Sequence, residues 1–431
     1  MIIRRLVAAL GAAVVATIAL SGCGDTTPSL AELGCRTASD CVVVRLGETI
    51  PLGALVDESD AIGTDTQRSA RLAIDYLDGS FDGTDGLLLG HPVALAVEPE
   101  FCTPEGGVEG AKRLLLDPNL VAVLGTTCSG AAYQAAATVL SQAKVLMVSP
   151  SNTSPKLTDP AEHERFYFRT SFNDLVQGAV VADFARERLR ATRAATVFTG
   201  DAYSKTLGET FTRAFTAAGG RVAAARQVSA SGSAESTVQA LAAAKPSVIF
   251  LPMFEPPCSR FVRAIRTAPA LRRVPIIVSE ACQSRAVLKA LGSAGTGIFA
   301  SGPDYGDLRV NRFYAESFLP AYKDRFGEAP VSVFHATGYD AANLVFSAIR
   351  RSSTELPGGT LVINRAAMRQ AMIETTGYDG ISGTLSCLPT GDCDPSTRIA
   401  VYRAPAWPPA DSRAKPVFSE RKSLADVIAA G

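Results

Sequence analysis

The sequence predicts an α/β protein built from two doubly wound, Rossmann-like units. Three observations carry this reading. Short apolar runs alternate with helix-patterned runs, the pattern of right-handed βαβ units that form a parallel sheet with helices on both faces. The alternation runs once and then restarts. The chain has 431 residues, of which 47% are hydrophobic, which is too long for one ordinary core and sufficient for two.

Residues 24–42 are rich in Thr, Ser, Gly and Asp and read as a linker closed by a small cysteine loop. The first unit then offers strands at Ile50–Val56, Val93–Val97, Val121–Leu124 and Val145–Val148, separated by helices over 64–78, 105–116 and 130–142. In the second unit "AATVFTG", "RVAAARQV", "PSVIFLP" and "VPIIVSE" are strand candidates, with helices over 204–218, 234–244, 259–268 and 284–291. Gly219-Gly220 is a good helix stop, because glycine takes the left-handed position after a helix without a Cβ penalty. A third stretch holds "TGIFAS", helices over 307–326, 337–351 and 364–374, and the segment "GTLSCLPTGDC". Beyond about residue 405, "PAWPPADSRAKP" is proline-rich and reads as an irregular tail.

The N-terminus places the protein outside the cytoplasm. Arg4 and Arg5 precede an apolar stretch from Leu6 to Leu20, shorter than a bilayer span usually needs and ending in the small-residue sequence "LSGC". Those four residues resemble the lipobox of bacterial lipoproteins. The resemblance implies cleavage of residues 1–22 as a signal peptide and lipidation of Cys23, leaving the protein tethered to the outer face of the cytoplasmic membrane. A plain signal peptide is the competing reading. The 42 basic and 42 acidic residues balance and are mixed along the chain, so no basic footprint for nucleic acid stands out.

Eight further cysteines form an even set, which in an exported protein favours disulfides. Many pairings are open to eight cysteines. Their spacing in four neighbouring couples suggests Cys35–Cys41, Cys102–Cys128, Cys258–Cys282 and Cys387–Cys393. A metal site wants close ligand pairs such as C-x-x-C, and the sequence has none. No cofactor motif is expected either: "GDAYSKT" lacks the second glycine of a phosphate loop, the three histidines form no H-E-x-x-H, and no G-x-S-x-G is present.

One stretch admits several chemistries. In "GTTCSGAAYQ", Cys128 and Ser129 stand where a buried strand should meet a helix, so either could be a nucleophile, a ligand contact or scaffold. A serine there is also an ordinary helix N-cap.

The order of motifs narrows the choice. "GTDTQRSARLAIDYLDG", "EFCTPEGGVEGAKRLL", "VAVLGTTCSGAA", "VLMVSPSNTSPKLT", "FYFRTSFNDLVQG", "VFTGDAYSKTLGETFTRAFTAAGG" and "FHATGYDAANLVFSAI" together resemble the branched-chain amino acid (Leu/Ile/Val) binding proteins of ABC importers, over roughly residues 45–402. The resemblance implies a type I periplasmic-binding-protein fold, with two lobes joined by three hinge crossings near Arg169-Thr170, Ser301-Gly302 and Gly380–Thr384. Lobe 1 is expected over 45–168 and 303–379, and lobe 2 over 171–300 and 385–404, with 23–44 a linker and 405–431 a tail. The family carries a cysteine pair where Cys102 and Cys128 stand.

Site residues follow from the same resemblance. Ser129 and Thr153 match family positions that contact the ligand carboxylate or amine, and Ser151 one that contributes mainly backbone. Tyr203 matches a lobe 2 tyrosine that reaches the ligand on closure, and Glu280 the acid that receives its ammonium. Ser129 and Glu280 would together recognise both poles of a zwitterion. Two departures stand out: Met253 or Phe254 occupies a place where the family often has an aromatic contact, and 57–62, "DESDAI", offers no clear apolar lining. The expected protein is a monomer and not an enzyme. It captures an amino acid or similar small polar molecule and delivers it to an ABC permease. The alternatives are a ligand sensor of the same fold coupled to a membrane signalling partner, and a hydrolase using Cys128 or Ser129.

Overall fold

The computed structural model describes residues 28–37, 39–394, 396–408 and 413–430. Two sheets organise it. The first has six strands in the order Leu87–Leu88, His91–Pro99, Ile50–Val56, Ala122–Gly125, Leu146–Ser149 and Tyr167–Arg169. All neighbours are parallel except the short Leu87–Leu88 edge. The second has seven strands in the order Phe418–Ser423, Ser396–Arg403, Phe299–Pro303, Ile276–Val278, Val248–Leu251, Arg193–Thr199 and Arg221–Val228. The pairings from Phe299–Pro303 to Arg221–Val228 are parallel.

The central strands read as continuous apolar runs because helices cover both faces, and Ala122–Gly125, Leu146–Ser149 and Val248–Leu251 are buried at every residue. Helix starts are set by local chemistry. Asp60 caps Ala61–Asp75, Thr103 caps Pro104–Leu114, Asn173 caps Asp174–Asp183 and Asp201 caps Ala202–Ala217, each side chain accepting from an N–H of the first turn. Gly219 follows the last of these with φ +77°, the left-handed position expected of it.

Several expectations need correction. The described residues beyond 413 are not an irregular tail: Phe418–Ser423 adds an antiparallel strand to the second sheet and Leu424–Ala429 forms a helix. Phe418 packs on Phe184 with ring centroids 5.8 Å apart, and Trp407 is fully buried, so apolar burial anchors a segment that its prolines suggested was loose. The linker also ends earlier than expected. Cys41–Val44 pairs antiparallel with Thr360–Asn364, and Val42 and Val44 are buried in the first lobe. The expected helix over 307–326 is broken into Tyr305–Val310 and the run Tyr314–Phe326.

The chain passes between the two sheets after Arg169, after Pro303 and between Cys393 and Ser396. The third passage is later than Gly380–Thr384, which instead forms the turn of a small hairpin, Tyr378–Asp379 with Thr384–Leu385. Buried Asp340 holds that turn, accepting from the N–H groups of Ile381 (2.9 Å) and Ser382 (2.8 Å). The next loop stays with the first lobe, because Arg169 N–H donates to Gly391 O (2.9 Å) and Cys393 N–H to Arg169 O (3.0 Å). The four neighbouring cysteine couples are all disulfide-bonded. Cys23 and the signal segment 1–22 lie outside the described residues.

Candidate functional site

Each expected site residue lies just past the carboxyl end of a parallel strand, where a doubly wound sheet opens a crevice. Ser129 follows Ala122–Gly125, Ser151 and Thr153 follow Leu146–Ser149, Tyr203 follows Arg193–Thr199, and Glu280 follows Ile276–Val278. Glycine makes the first of these turns possible. Gly125 has φ +121°, and a Cβ there would sit 2.1 Å from the Leu55 carbonyl oxygen of the neighbouring strand.

The lobe 1 side is a tight polar lattice. Ser129 Oγ accepts from Ser154 N–H (3.3 Å), and Ser151 Oγ donates to Thr127 O (2.9 Å). Ser154 Oγ meets Thr206 Oγ1 of lobe 2 at 3.2 Å, so the Ser129 loop is tied across the crevice through Ser154. The carboxylate or amine contact that the resemblance implies at Ser129 has little support from a helix dipole. The helix there is a three-residue turn, Ser129–Ala131, followed by non-helical residues that include Gln134 at φ 52°, so it has almost no macrodipole. The N–H groups of Thr127 (3.1 Å) and Cys128 (3.3 Å) are already engaged by the buried Glu100 carboxylate. Burial raises the Glu100 pKa to about 7, against the pull of those same N–H groups. Cys128 itself is bonded to Cys102, which removes it as a nucleophile.

The lobe 2 side gathers around Glu280. Tyr203 OH donates to Glu280 Oε1 and Gln177 Nε2 to Glu280 Oε2, both at 2.5 Å. Gln177 Nε2 also reaches Ser301 Oγ (3.0 Å), which leaves its Oε1 as the free end of the amide. Phe254 packs on the Tyr203 ring at 4.9 Å, whereas Met253 is fully buried in the lobe 2 core. The position that departs from the family pattern therefore supports a site side chain through Phe254. Burial pushes the Glu280 carboxyl up, opposed by its Tyr203 and Gln177 donors; burial and then the Glu280 charge push the Tyr203 phenol up.

Sequence reasoning missed Asp174 and Gln177. Both belong to the first turn of the helix Asp174–Asp183, which starts directly after the first passage between lobes, and their i, i+3 spacing puts them on one face. The segment "FNDLVQG" held that signal in its capping Asn173. Asp174 is fully buried; its N–H donates to Thr153 O (2.9 Å), and both of its carboxylate oxygens lack a donor. Burial first, and the Glu280 charge second, hold its pKa well above the carboxylate range, while the nearby Thr153 hydroxyl and Arg169 oppose them weakly. Thr153, Asp174, Glu280 and Tyr203 thus form a connected polar patch running from lobe 1 through the hinge helix into lobe 2.

Beside this patch a cavity of about 390 Å³ lies between the lobes. Its lobe 1 wall includes Asp60 and Val331, and its lobe 2 wall includes Glu255, Glu280 and Gln283. Ser59, Asp60, Ala61 and Ile62 of "DESDAI" border the cavity, so that segment sets two apolar side chains beside its carboxylate. Two clusters have the composition of metal sites, Glu100 with Cys102 and Cys128, and Glu255 with Cys258 and Cys282. In both, the sulfurs are joined as disulfides and supply no thiolate.

A family model described as "Periplasmic binding protein" matches residues 49–406. The "Leu/Ile/Val-binding protein homolog 3" of Brucella melitensis is 28% identical over 176 residues, 41% of this chain and 45% of that protein. The alignments span less than half the length of the curated relatives. Among solved structures, the leucine-binding protein LivK of Thermotoga maritima superposes with a TM-score of 0.73 at 20% identity, covering 86% of this chain and 98% of that one. An ABC-transporter solute-binding protein of R. palustris in complex with benzoate superposes with a TM-score of 0.68 at 19% identity, covering 88% and 96%. The fold is that of the type I proteins, and the chain belongs to the periplasmic binding protein family.

Proposed function

We propose that this chain is an extracytoplasmic solute-binding lipoprotein, anchored through Cys23, that captures an amino acid or similar small amine between its lobes and delivers it to an ABC permease. One observation carries the ligand class. Asp174 and Glu280 are two buried carboxyl groups within each other's field; Glu280 receives hydrogen bonds from the neutral side chains of Gln177 and Tyr203, and the Asp174 oxygens lack a donor. Burying such a pair without a cation is costly, and an ammonium group lodged between them removes the cost. Ser129, Ser151 and Thr153, at the lobe 1 strand ends, are the groups we assign to the polar remainder of the ligand; of the five expected site residues, Glu280 is the one in the cavity lining. The lobes bridged by Ser154 and Thr206 fit a closing, hinge-type capture.

A thermal-shift screen of amino acids, amines and aromatic acids, followed by calorimetric titration, tests this reading, since a ligand that binds the native state raises apparent stability by mass action. Binding of an amine that weakens at least tenfold in Glu280→Gln and in Ser129→Ala is the expected result. Binding of benzoate in preference to any amine would overturn it, as would unchanged affinity in both variants.

A further inference from the structure

The cavity between the lobes is more acidic than one ammonium group requires. Three carboxylates line it: Asp60 from lobe 1, and Glu255 and Glu280 from lobe 2. Asp174, outside the lining, feels the Glu280 charge. Among the described residues, no lysine or arginine lines the cavity. Arg169, the nearest cation to Asp174, is committed elsewhere: it pairs with Asp392 at 2.7 Å and donates to Asn152 O, Ser154 O and Thr158 Oγ1.

Hydrogen bonding gives a second, independent indication. Buried Gln283 lines the cavity with Oε1 lacking a donor, its Nε2 being held by Pro408 O at 2.6 Å. Asp174 and Gln177, outside the cavity lining, also carry side-chain oxygens without donors. Buried acceptors are almost always satisfied in a folded protein, so the bare Gln283 oxygen in the cavity wall marks where a donor belongs. A ligand whose far end is an alkyl chain or an aromatic carboxylate would leave Gln283 Oε1 bare and bring no cation to Asp60 or Glu255, whose carboxylates are held by N–H and hydroxyl groups at their own helix starts.

We infer that the natural ligand carries a second positive group and is a basic solute, a basic amino acid or a diamine, with one cation between Asp174 and Glu280 and the other between Asp60 and Glu255. This deepens the reading above and rests on it. Asp60 closes on the ligand from lobe 1 while Glu255 meets it from lobe 2, so the second cation bridges the lobes and favours the closed state.

The test is calorimetric titration of the full mature chain with lysine, arginine, putrescine, leucine and benzoate, on wild type, Asp60→Asn and Glu255→Gln. Asparagine keeps the Asp60 helix cap and glutamine keeps an acceptor for Ser259, and circular dichroism confirms that both variants fold. At least one of the three basic probes should bind tenfold or more tightly than leucine. Each variant should weaken that probe at least fivefold and leave leucine within twofold. Leucine binding as tightly as every basic probe would overturn the second cation while leaving the amine reading intact, and so would basic binding unmoved by either variant. Preference for benzoate, or no binding by any probe, would remove both.

Discussion

Arg169 is the residue on which the hinge side of the site most depends. Its guanidinium is fully buried, pairs with Asp392 at 2.7 Å, and fastens the loop that carries Thr153 by donating to Asn152 O (3.0 Å), Ser154 O (2.8 Å) and Thr158 Oγ1 (2.8 Å). Arg169→Met leaves the Asp392 carboxylate buried and without its cation, a change that costs about 3–5 kcal/mol. With a urea dependence of about 3 kcal/mol per molar, at the top of the usual range, the midpoint should fall by about 1–1.7 M. The double variant Arg169→Met with Asp392→Leu removes both charges and should lose much less than the sum of the two singles, because an apolar pair replaces a buried ion pair at little cost. Equilibrium urea unfolding followed by circular dichroism reads all four proteins. A single-variant loss below about 1 kcal/mol, or strictly additive losses in the double variant, would refute the reasoning, since either would mean that the buried charges do not depend on each other.

Three further outcomes are expected. Replacing Cys102 and Cys128 by serine opens a loop with a sequence separation of 26, worth about 3.5 kcal/mol in the chain-entropy account, whereas opening Cys35–Cys41, with a separation of 6, should cost closer to about 2 kcal/mol; thermal denaturation should rank them in that order. His335 is buried against Tyr314 OH and Ser332 O, and burial lowers its pKa to about 4, so the unfolded chain binds a proton below about pH 6.5 that the folded chain refuses. Wild type should therefore lose stability relative to His335→Gln as pH falls from about 6.5 to 4, by up to about 3 kcal/mol, and parallel pH–stability curves would contradict this. Ending the chain at residue 413 removes the strand Phe418–Ser423 and the Lys422–Asp183 ion pair at 2.9 Å; hydrogen exchange should accelerate in Ser396–Arg403, and unchanged protection there would show that the C-terminal strand is dispensable.

Much of the fold was legible because buried parallel strands must be apolar on both faces, which makes Ile50–Val56 or Val248–Leu251 conspicuous in any reading. Cysteine couples close in sequence could likewise be joined on spacing alone. The C-terminal segment was misread for a local reason: its prolines predict irregular chain, and the burial of Trp407 and the packing of Phe418 on Phe184 are long-range contacts that composition does not contain. The third passage between lobes was placed too early because Gly380–Thr384 has the composition of a hinge, whereas Asp340, some 40 positions away, holds it as a turn.

The site divides the same way. The place of Ser129 between a buried strand and a helix is a local property of the sequence, whereas Tyr203 and Glu280 came into consideration through the family resemblance. That Tyr203 and Glu280, 77 positions apart, share a hydrogen bond of 2.5 Å, that Glu100 occupies the N–H groups of Thr127 and Cys128, and that the buried Asp174 feels the Glu280 charge are facts of tertiary packing. The sequence by itself determined two α/β units and the neighbouring cysteine couples, because those follow from periodicity and spacing. Only the tertiary structure decided the electrostatic character of the crevice, because the sign of a site depends on which charges remain unpaired once every other charge has found its partner.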